Sequence, residues 1–246
     1  MKTTVALVVL ALSAGCHSTP RPGSAGAWNG QIEIHGAMRE VMLEGKTQGR
    51  VALDTLQGDP SLVAIGALAG LEGELVALDG IVWTTRAKPL GVLETRAGAT
   101  HDEQATMLAS ARVADWVRVP IPGGLAFEGL DEFVAQAARG QGLAGTTTFP
   151  FVIEGGLLEV RAHVLHGRCP MAGPGPAESE PVRRFLPEVH ARLVGFYTTL
   201  PPGTLTHHGQ RTHVHLLVKE GEPLAAHVDD LRIAPGAVLK LPRQIR

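Results

Sequence analysis

Apolar and polar residues alternate along short stretches of the chain, and turn-forming residues separate these stretches. Such alternation places apolar side chains on one face and is typical of half-buried β-strands. The 30 glycines and 17 prolines support frequent turns. We therefore predict strands at residues 31–34, 74–78, 81–85, 193–197, 213–218, 224–233 and 238–241.

Two predicted turns join neighbouring strands into hairpins. Asp79-Gly80 is a dipeptide that favours the tight turn of a hairpin, between the strands on either side of it. Glu154-Gly155-Gly156 is predicted to turn between two further strands, at residues 149–153 and 157–165.

Helical spacing of apolar residues occurs in three segments, at residues 38–43, 50–56 and 130–138. Many strands with few short helices predict an α+β fold with mixed or antiparallel sheets. The proline-rich stretch at 170–181 has the composition of a linker. We therefore predict two lobes, an N-terminal α/β lobe at residues 29–174 and a C-terminal β-rich lobe at residues 175–246.

The first residues have the composition of an export signal. Lys2 precedes a ten-residue apolar run at positions 5–14, which is too short to span a bilayer. The run leads into Leu12-Ser13-Ala14-Gly15-Cys16, which resembles the bacterial lipobox, whose cysteine is lipidated. We predict a signal peptide at 1–16 with lipidation at Cys16, a flexible tether at 17–28, and an exported protein anchored to a bacterial membrane, on its periplasmic or cell-surface side. An ordinary secreted protein and a buried N-terminal helix are the alternatives.

The composition excludes several classes of protein. Hydrophobic residues form 44% of the 246-residue chain and the net charge is −2, whereas a disordered chain combines low hydrophobicity with high charge. The 22 lysines and arginines do not outnumber the 24 acidic residues, so no nucleic-acid partner is expected. Cys16 and Cys169 cannot form a disulfide framework, and Cys169 is expected to be a free thiol rather than a metal ligand.

Histidines near the C-terminus provide the candidate chemistry. His213 and His215 are two residues apart in a predicted strand, so their imidazoles share a face. If residues 220–222 form a three-residue loop, Lys219 pairs with Pro223 and His215 lies opposite His227. Three imidazoles that converge from two strands are typical of a catalytic transition-metal site, most often zinc. Solvated surface histidines are the alternative interpretation.

Two further expectations follow for residues near this hairpin. In the same register Asp229 lies opposite His213, where it could support the ligand by a hydrogen bond. Plain surface charge is the alternative interpretation of Asp229 and Asp230. His207 and His208 lie in a loop-like stretch and are expected to be solvated.

Four ordered segments resemble the acetolactate decarboxylase family. Residues 65–75 (IGALAGLEGEL) resemble the family's G-T-F-x-x-L-D-G-E-L segment, and Ile153-Glu154-Gly155 resembles its R-I-D-G hairpin. Residues 193–198 (LVGFYT) resemble its L-V-G-F-x-T strand, and the histidines at 213, 215 and 227 resemble its H-x-H…G-G-H zinc site. The resemblance extends from about Trp28 to Pro242.

This resemblance implies a function and a set of site residues. By position, His213, His215 and His227 would bind zinc, and Glu74 would be the active-site glutamate. The family converts 2-acetolactate, a branched 2-hydroxy-3-oxo acid, to acetoin and carbon dioxide without an organic cofactor. A metal chelated by the substrate's hydroxyl and carbonyl oxygens would act as a Lewis acid, and Glu74 would deliver a proton. From residue parity, Glu72 is the rival carboxylate.

The sequence also departs from the family pattern. The position of the family's active-site arginine holds His163, and Arg161, two residues earlier on the same strand face, could substitute for it. The resemblance implies a further glutamate beyond the position of Pro242, and the sequence ends at Arg246. It leaves open a homodimer whose partner completes the site.

Three functions are therefore open at this point. The first is a zinc-dependent decarboxylase, and the second is a degenerate, catalytically weak or inactive metal-binding lipoprotein of the same fold. The third is a cupin-like metalloprotein, since His213-x-His215 with Glu220 resembles part of the cupin H-x-H-x(3,4)-E motif.

Overall fold

The computed structural model describes residues 28–168 and 175–244, which form two antiparallel β-sheets. The first sheet has the strand order β1-β7-β3-β4-β5-β6, with β2 beside β7. Its elements, in chain order, are β1 (Glu33–His35), α1 (Met38–Met42), β2 (Val51–Ala52), a 3-10 helix (Leu53–Leu56), β3 (Leu62–Leu68), a 3-10 turn (Ala69–Leu71), β4 (Glu74–Leu78), β5 (Ile81–Ala87), a 3-10 turn (Pro89–Gly91), β6 (Leu93–Ala97) and β7 (Gln104–Arg112).

The second sheet has the order β10-β11-β12-β9-β13-β8, and β10 also pairs with β9. The pairings β9–β10, β10–β11, β11–β12 and β12–β9 therefore close a ring of four strands. Its elements are β8 (Trp116–Pro120), α2 (Phe127–Gly140), β9 (Thr148–Val164), a 3-10 turn (Ala177–Ser179), β10 (Val182–Thr198), β11 (Thr212–Val218), β12 (Leu224–Ile233) and β13 (Val238–Pro242).

One core lies between the two sheets. Val63 and Ile65 of β3 pack in the same cluster as Phe151 of β9, and all three are at most 2% exposed. The alternate β3 residues Leu62 and Ala64 pack on the other face of the first sheet, in a second cluster. Burial of each large apolar side chain contributes about 1.5–3 kcal/mol, so β3, apolar on both faces, stabilises the centre of the first sheet.

Most of the predicted elements are confirmed. The α+β fold of antiparallel sheets with few short helices is observed. The seven strands predicted from the alternating pattern overlap β1, β4, β5, β10, β11, β12 and β13. The predicted turn at Asp79-Gly80 joins β4 to β5, and both residues have positive φ (56° and 76°), as a type I′ hairpin turn requires. The amphipathic helix is α2, whose Leu130, Val134 and Ala138 are buried at four-residue spacing.

The hairpin predicted at Glu154-Gly155-Gly156 is wrong. Residues 148–164 form one strand, β9, which pairs with β10 on both sides of the glycines. On its other edge, β9 pairs with β13 as far as Glu154 and with β12 from Leu157 onward. The two glycines therefore mark a change of neighbouring strand rather than a reversal of the chain.

The helix predicted at residues 50–56 is also wrong for its first part. Val51 and Ala52 form β2 and pair with β7, and only Leu53–Leu56 coil, as a 3-10 helix. Leu53 and Leu56, three residues apart, are the buried positions of that helix. The helical spacing in the sequence therefore corresponds to one short turn, because Val51 and Ala52 form strand hydrogen bonds with β7 instead of extending the helix.

The sheets divide the chain at a different place from the predicted lobes. The first sheet ends at Arg112 and the second begins at Trp116, so β9 belongs to the second sheet and not to an N-terminal lobe that ends at residue 174. Trp28, the last residue of the predicted tether, is buried in the shared core. The predicted signal peptide, Cys16, Cys169 and the first part of the predicted linker lie outside the described residues.

None of the described helices is long and apolar enough to cross a bilayer.

Candidate metal centre

Three of the predicted ligands lie on the β11–β12 hairpin. The ladder pairs His215 with His227, which confirms the register expected from a three-residue loop. His213 lies two residues before His215 and so presents its ring on the same face. The ring centroid of His213 lies 5.0 Å from that of His227 and 5.1 Å from that of His215, and the centroids of His215 and His227 are 5.4 Å apart.

The ring nitrogens of these residues are spaced like the ligands of one ion. Nε2 of His213 lies 3.1 Å from Nδ1 of His227 and 3.3 Å from Nε2 of His215. Zinc–nitrogen bonds of about 2.0–2.1 Å in tetrahedral geometry place two ligand nitrogens roughly 3.3–3.4 Å apart. The histidine cluster is therefore compatible with a metal site, as the sequence predicted.

Backbone carbonyls fix the orientation of two of the rings. Nδ1 of His213 donates to the carbonyl of Leu205 at 2.8 Å, and Nδ1 of His215 donates to that of Leu75 at 3.1 Å. Since a carbonyl only accepts, Nδ1 carries the hydrogen in each neutral ring and Nε2 presents a lone pair. The two lone pairs face each other at 3.3 Å. This contact is unfavourable unless a cation lies between the rings.

A proton is not that cation at neutral pH. Burial lowers the pKa of His213 to about 4. Burial and the imidazole of His213 lower the pKa of His215 well below its usual value. Loss of solvent and the nearby His163 ring do the same to the pKa of His227. Neutral imidazole is the form that binds a transition metal, so the environment holds these rings ready for one.

Glu74 enters the same space from the first sheet. It is the first residue of β4 and is 2% exposed, and its Oε2 lies 3.8 Å from Nε2 of His215. Burial raises the pKa of its carboxyl well above the usual range, although a backbone hydrogen bond from Leu165 acts in the opposite direction. Burial therefore favours the protonated form of this carboxyl relative to an exposed glutamate.

Glu72, the rival carboxylate, points elsewhere. It lies in the turn before β4, and its side chain is 67% exposed and pairs with Arg86 at 3.4 Å. The parity expected of an extended strand does not reach back to Glu72, because Gly73 adopts φ 146° and β4 begins at Glu74.

His163 lies beside His227 in the sheet. The β9–β12 ladder pairs the two residues, and their ring centroids are 4.8 Å apart. Nδ1 of His163 donates to Oδ1 of Asp229 at 2.7 Å. With Asp229 and His227, His163 makes a second group of donor atoms that could hold a metal.

The pairing expected between Asp229 and His213 is not formed. The β11–β12 pairing ends at His215 and His227, so Asp229 has no partner in β11 and instead falls in a register shift of β12 against β9. Its carboxylate therefore supports His163, while His213 is held by the carbonyl of Leu205.

Arg161 does not reach the site. Its side chain is 70% exposed, lies 4.0 Å from a carboxylate oxygen of Asp230 and stacks over Phe185 at 5.9 Å.

A cavity of about 330 Å³ opens over the histidines and brings in residues that the sequence did not indicate. Arg183, His207 and Gln210 line it together with Glu74 and the histidines. The expectation that His207 is solvated is wrong, since its ring centroid lies 6.2 Å from that of His227 and burial lowers its pKa. No spacing signal could identify these residues, because they come from β10 and from the loop at 199–211.

Of the comparisons with known proteins, only the one with solved structures finds similar proteins. No family model matches the sequence, and no curated protein matches it either. Among solved structures, alpha-acetolactate decarboxylase from Bacillus subtilis strain 168 superposes with a TM-score of 0.65 at 18% identity, over 87% of this chain and 86% of that one. Acetolactate decarboxylase from Bacillus subtilis subspecies spizizenii gives 0.64 at 16% identity, over 87% of each chain.

A Staphylococcus aureus protein of unknown function, described as similar to alpha-acetolactate decarboxylase, gives a TM-score of 0.63 at 18% identity, over 87% of this chain and 86% of that one. At these identities the likeness shows a shared fold, which confirms the fold that the sequence resemblance implied.

Proposed function

We propose that the chain is a metal-dependent decarboxylase that converts 2-acetolactate, or a related branched 2-hydroxy-3-oxo acid, to the corresponding hydroxy ketone and carbon dioxide. The observation that carries this proposal is the pair of imidazole lone pairs on His213 and His215, which face each other at 3.3 Å inside a cavity that also holds Glu74. Three neutral nitrogen ligands with room for further ligands are typical of catalytic zinc.

The residues divide the work of such a site. His213, His215 and His227 would hold zinc or another divalent transition metal. When bound, zinc supplies Lewis-acid chemistry that draws electron density from the substrate's hydroxyl and carbonyl oxygens. The hydrogen bonds from His213 to Leu205 and from His215 to Leu75 orient the rings, so the ligands need little rearrangement.

Glu74 is placed to move the proton that the reaction consumes. Loss of carbon dioxide leaves electron density on carbon, and that carbon must gain a proton to give the neutral ketone. The Glu74 carboxyl lies within 3.8 Å of the ligand His215, and burial raises its pKa. It can therefore carry a proton within reach of a substrate bound at the histidines.

One assay tests this proposal. Purified protein supplied with zinc is expected to form acetoin from 2-acetolactate, and His213→Ala is expected to abolish both activity and zinc retention. His208→Ala is the matched control, because His208 is exposed in the neighbouring loop. Absence of acetoin at any amount of wild-type protein that retains zinc would contradict the proposed reaction.

A second candidate is a metal-binding protein of the same fold with weak or no turnover. The observation that favours it is His163, which occupies the position of the family's arginine, while Arg161 is turned away from the cavity. Zinc retention without acetoin formation is the result that this candidate predicts.

We also propose that the protein is exported and anchored by a lipid on Cys16, and that its chains form a homodimer. The sequence from Leu12 to Cys16 supports the anchor. Radiolabelled palmitate should be incorporated by the wild type and not by Cys16→Ser. Gel filtration with light scattering should give twice the mass of one chain.

A further inference from the structure

The register of the second sheet aligns four polar residues in one row. Arg183 of β10 pairs with His163 of β9, His163 pairs with His227 of β12, and His227 pairs with His215 of β11. Directly paired residues point to the same face of a sheet, with Cβ atoms about 4.5–5.5 Å apart. The row therefore runs from the metal-binding imidazoles to a guanidinium along a single cavity wall.

Arg183 is the cation of this cavity. Among the described residues that line it, Arg183 is the only lysine or arginine. The acidic residues that line it are Glu74, at the histidine end of the row, and Asp229, beside Arg183. Among the side chains that line the cavity, Arg183 is therefore the permanent cation that a substrate carboxylate meets, at the end of the row.

Asp229 holds this cation in place while leaving it able to bind. Nη1 of Arg183 lies 3.3 Å from Oδ2 of Asp229, whose other oxygen accepts from His163 at 2.7 Å. A guanidinium has five N–H donors in a planar fork, so one bond to Asp229 leaves donors for a second carboxylate. The Arg183 side chain is 63% exposed, and an entering anion can reach it from the cavity mouth.

We infer that Arg183 binds the carboxylate of the substrate and makes the site selective for 2-hydroxy-3-oxo acids over neutral hydroxy ketones, and that Asp229 is its positioning residue. This inference rests on the proposed function. Arg183 of β10, the direct ladder partner of His163, then supplies the guanidinium group that is missing at position 163. It also explains how product leaves: acetoin has no carboxylate, so it loses the contact with Arg183 once carbon dioxide has departed.

Calorimetry on the zinc-loaded full chain tests the inference with a probe that cannot decarboxylate. The probe is 2,3-dihydroxy-2-methylbutanoate, which replaces the ketone by a hydroxyl, and butane-2,3-diol is its counterpart without the carboxylate. Arg183→Gln is expected to weaken binding of the acid by about 10- to 100-fold and to leave binding of the diol unchanged. Arg183→Lys should give an intermediate loss, since it keeps the charge without the fork.

Controls separate this contact from a general loss of structure. Arg184→Gln is the matched variant, because Arg184 is the next residue and donates away from the cavity, to the carbonyl of Gly91. Binding of the acid by the wild type should weaken with added salt, and Arg183→Gln should flatten that dependence. Asp229→Asn should weaken binding of the acid by a smaller factor and raise KM more than it lowers kcat.

The outcomes distinguish the two proposals. If the wild type binds the acid and Arg183→Gln binds it equally tightly, the inference about Arg183 is overturned and the proposed function stands. If the zinc-loaded wild type binds neither probe, the proposed function fails and this inference fails with it.

Discussion

The position of one hydrogen atom decides what the ring of His215 can bind. Because Nδ1 donates to the carbonyl of Leu75, Nε2 is left as an acceptor that faces the cavity. The H-x-H spacing predicts that two rings share a face, but it carries no information about which nitrogen of each ring is free. Which nitrogen is free depends on the carbonyl that accepts from the other one. For His215 this carbonyl belongs to Leu75, which is distant in sequence, and for His213 it belongs to Leu205, which lies in a loop.

At the same scale, Glu74→Gln tests the proton-carrying carboxyl. Glutamine keeps the size of the side chain but cannot donate and regain a proton, so kcat for acetoin formation should fall by about 10²–10⁴-fold. Zinc content should not change, because Glu74 is not among the three grouped ligands. Steady-state kinetics and metal analysis check both. Glu72→Gln, on an exposed side chain, should leave the rate unchanged, and an unchanged rate in Glu74→Gln would rule out this role.

At the scale of elements, strand β9 carries the largest difference between sequence and structure. The turn-like Glu154-Gly155-Gly156 was expected to reverse the chain, yet β9 runs straight through it to bring His163 beside His227. Pairing with β10 through 16 residue pairs outweighs the local preference of the glycines for a turn, because each ladder step adds contacts that a short hairpin would lose. Strands set by close turns, such as β4–β5 and β11–β12, could be predicted, whereas the partners of β9 are remote in sequence.

Gly155→Ala is expected to destabilise the protein by about 1–3 kcal/mol. Gly155 adopts φ 147°, and a Cβ there would lie 2.7 Å from Cα of Ala237, the residue before β13. This contact is with backbone, which cannot move aside as a flexible side chain can. Urea unfolding gives the free energy directly. Gly156→Ala is the control, because its backbone is not in the positive-φ region and its nearest contact is 3.3 Å, to a side-chain carbon. Equal stability of the two variants would contradict this account of the close approach between Gly155 and Ala237.

Asp79 links the β4–β5 turn to the second sheet, through Arg192 of β10 and Lys219 after β11. Burial alone would raise the pKa of Asp79, but hydrogen bonds from Lys219 and Arg192 and their charges lower it below the usual value. Because the pKa is lower in the folded state, the ion pairs stabilise the protein above about pH 4, and this stabilisation is lost as the pH falls.

Asp79→Asn should therefore lower the free energy of unfolding by about 0.5–1 kcal/mol at pH 7, a modest loss because the side chain is half exposed. Asparagine is accepted in this turn type, so the hairpin itself should persist. Urea unfolding of both proteins between pH 7 and pH 3 should show the two curves converge. A difference that grows on acidification, or one equal to that of the exposed-loop variant Glu222→Gln, would contradict the ion-pair account.

At the scale of the whole molecule, the candidate metal centre joins the two sheets. The three ligands come from β11 and β12, but His215 is anchored to Leu75 of the first sheet, and Glu74 beside it belongs to the same strand. The sequence predicted the ligands because one short hairpin holds them all. It missed Arg183 and His207 because only the closed ring of strands and the loop at 199–211 bring them to the cavity.

Removal of zinc should lower the thermal midpoint of the protein. An ion that binds only the folded state at about 100 times its Kd stabilises by about 2.7 kcal/mol, which for a chain of this size corresponds to about 5–10 °C. Zinc should restore the midpoint after treatment with a chelator, and magnesium should not, since it prefers oxygen ligands. Scanning calorimetry of wild type and His215→Ala makes the comparison. An identical thermal midpoint with and without zinc in the wild type would contradict the prediction that bound zinc stabilises the folded protein.

The central claim is that His213, His215 and His227 bind one metal ion. X-ray absorption at the zinc edge of the zinc-loaded protein tests it most directly. The spectrum should report three imidazole nitrogens at about 2.0–2.1 Å with oxygen completing the shell, and His213→Ala should not retain the ion. A shell of oxygen or sulfur alone, or zinc that is lost on gel filtration of the wild type, would contradict it.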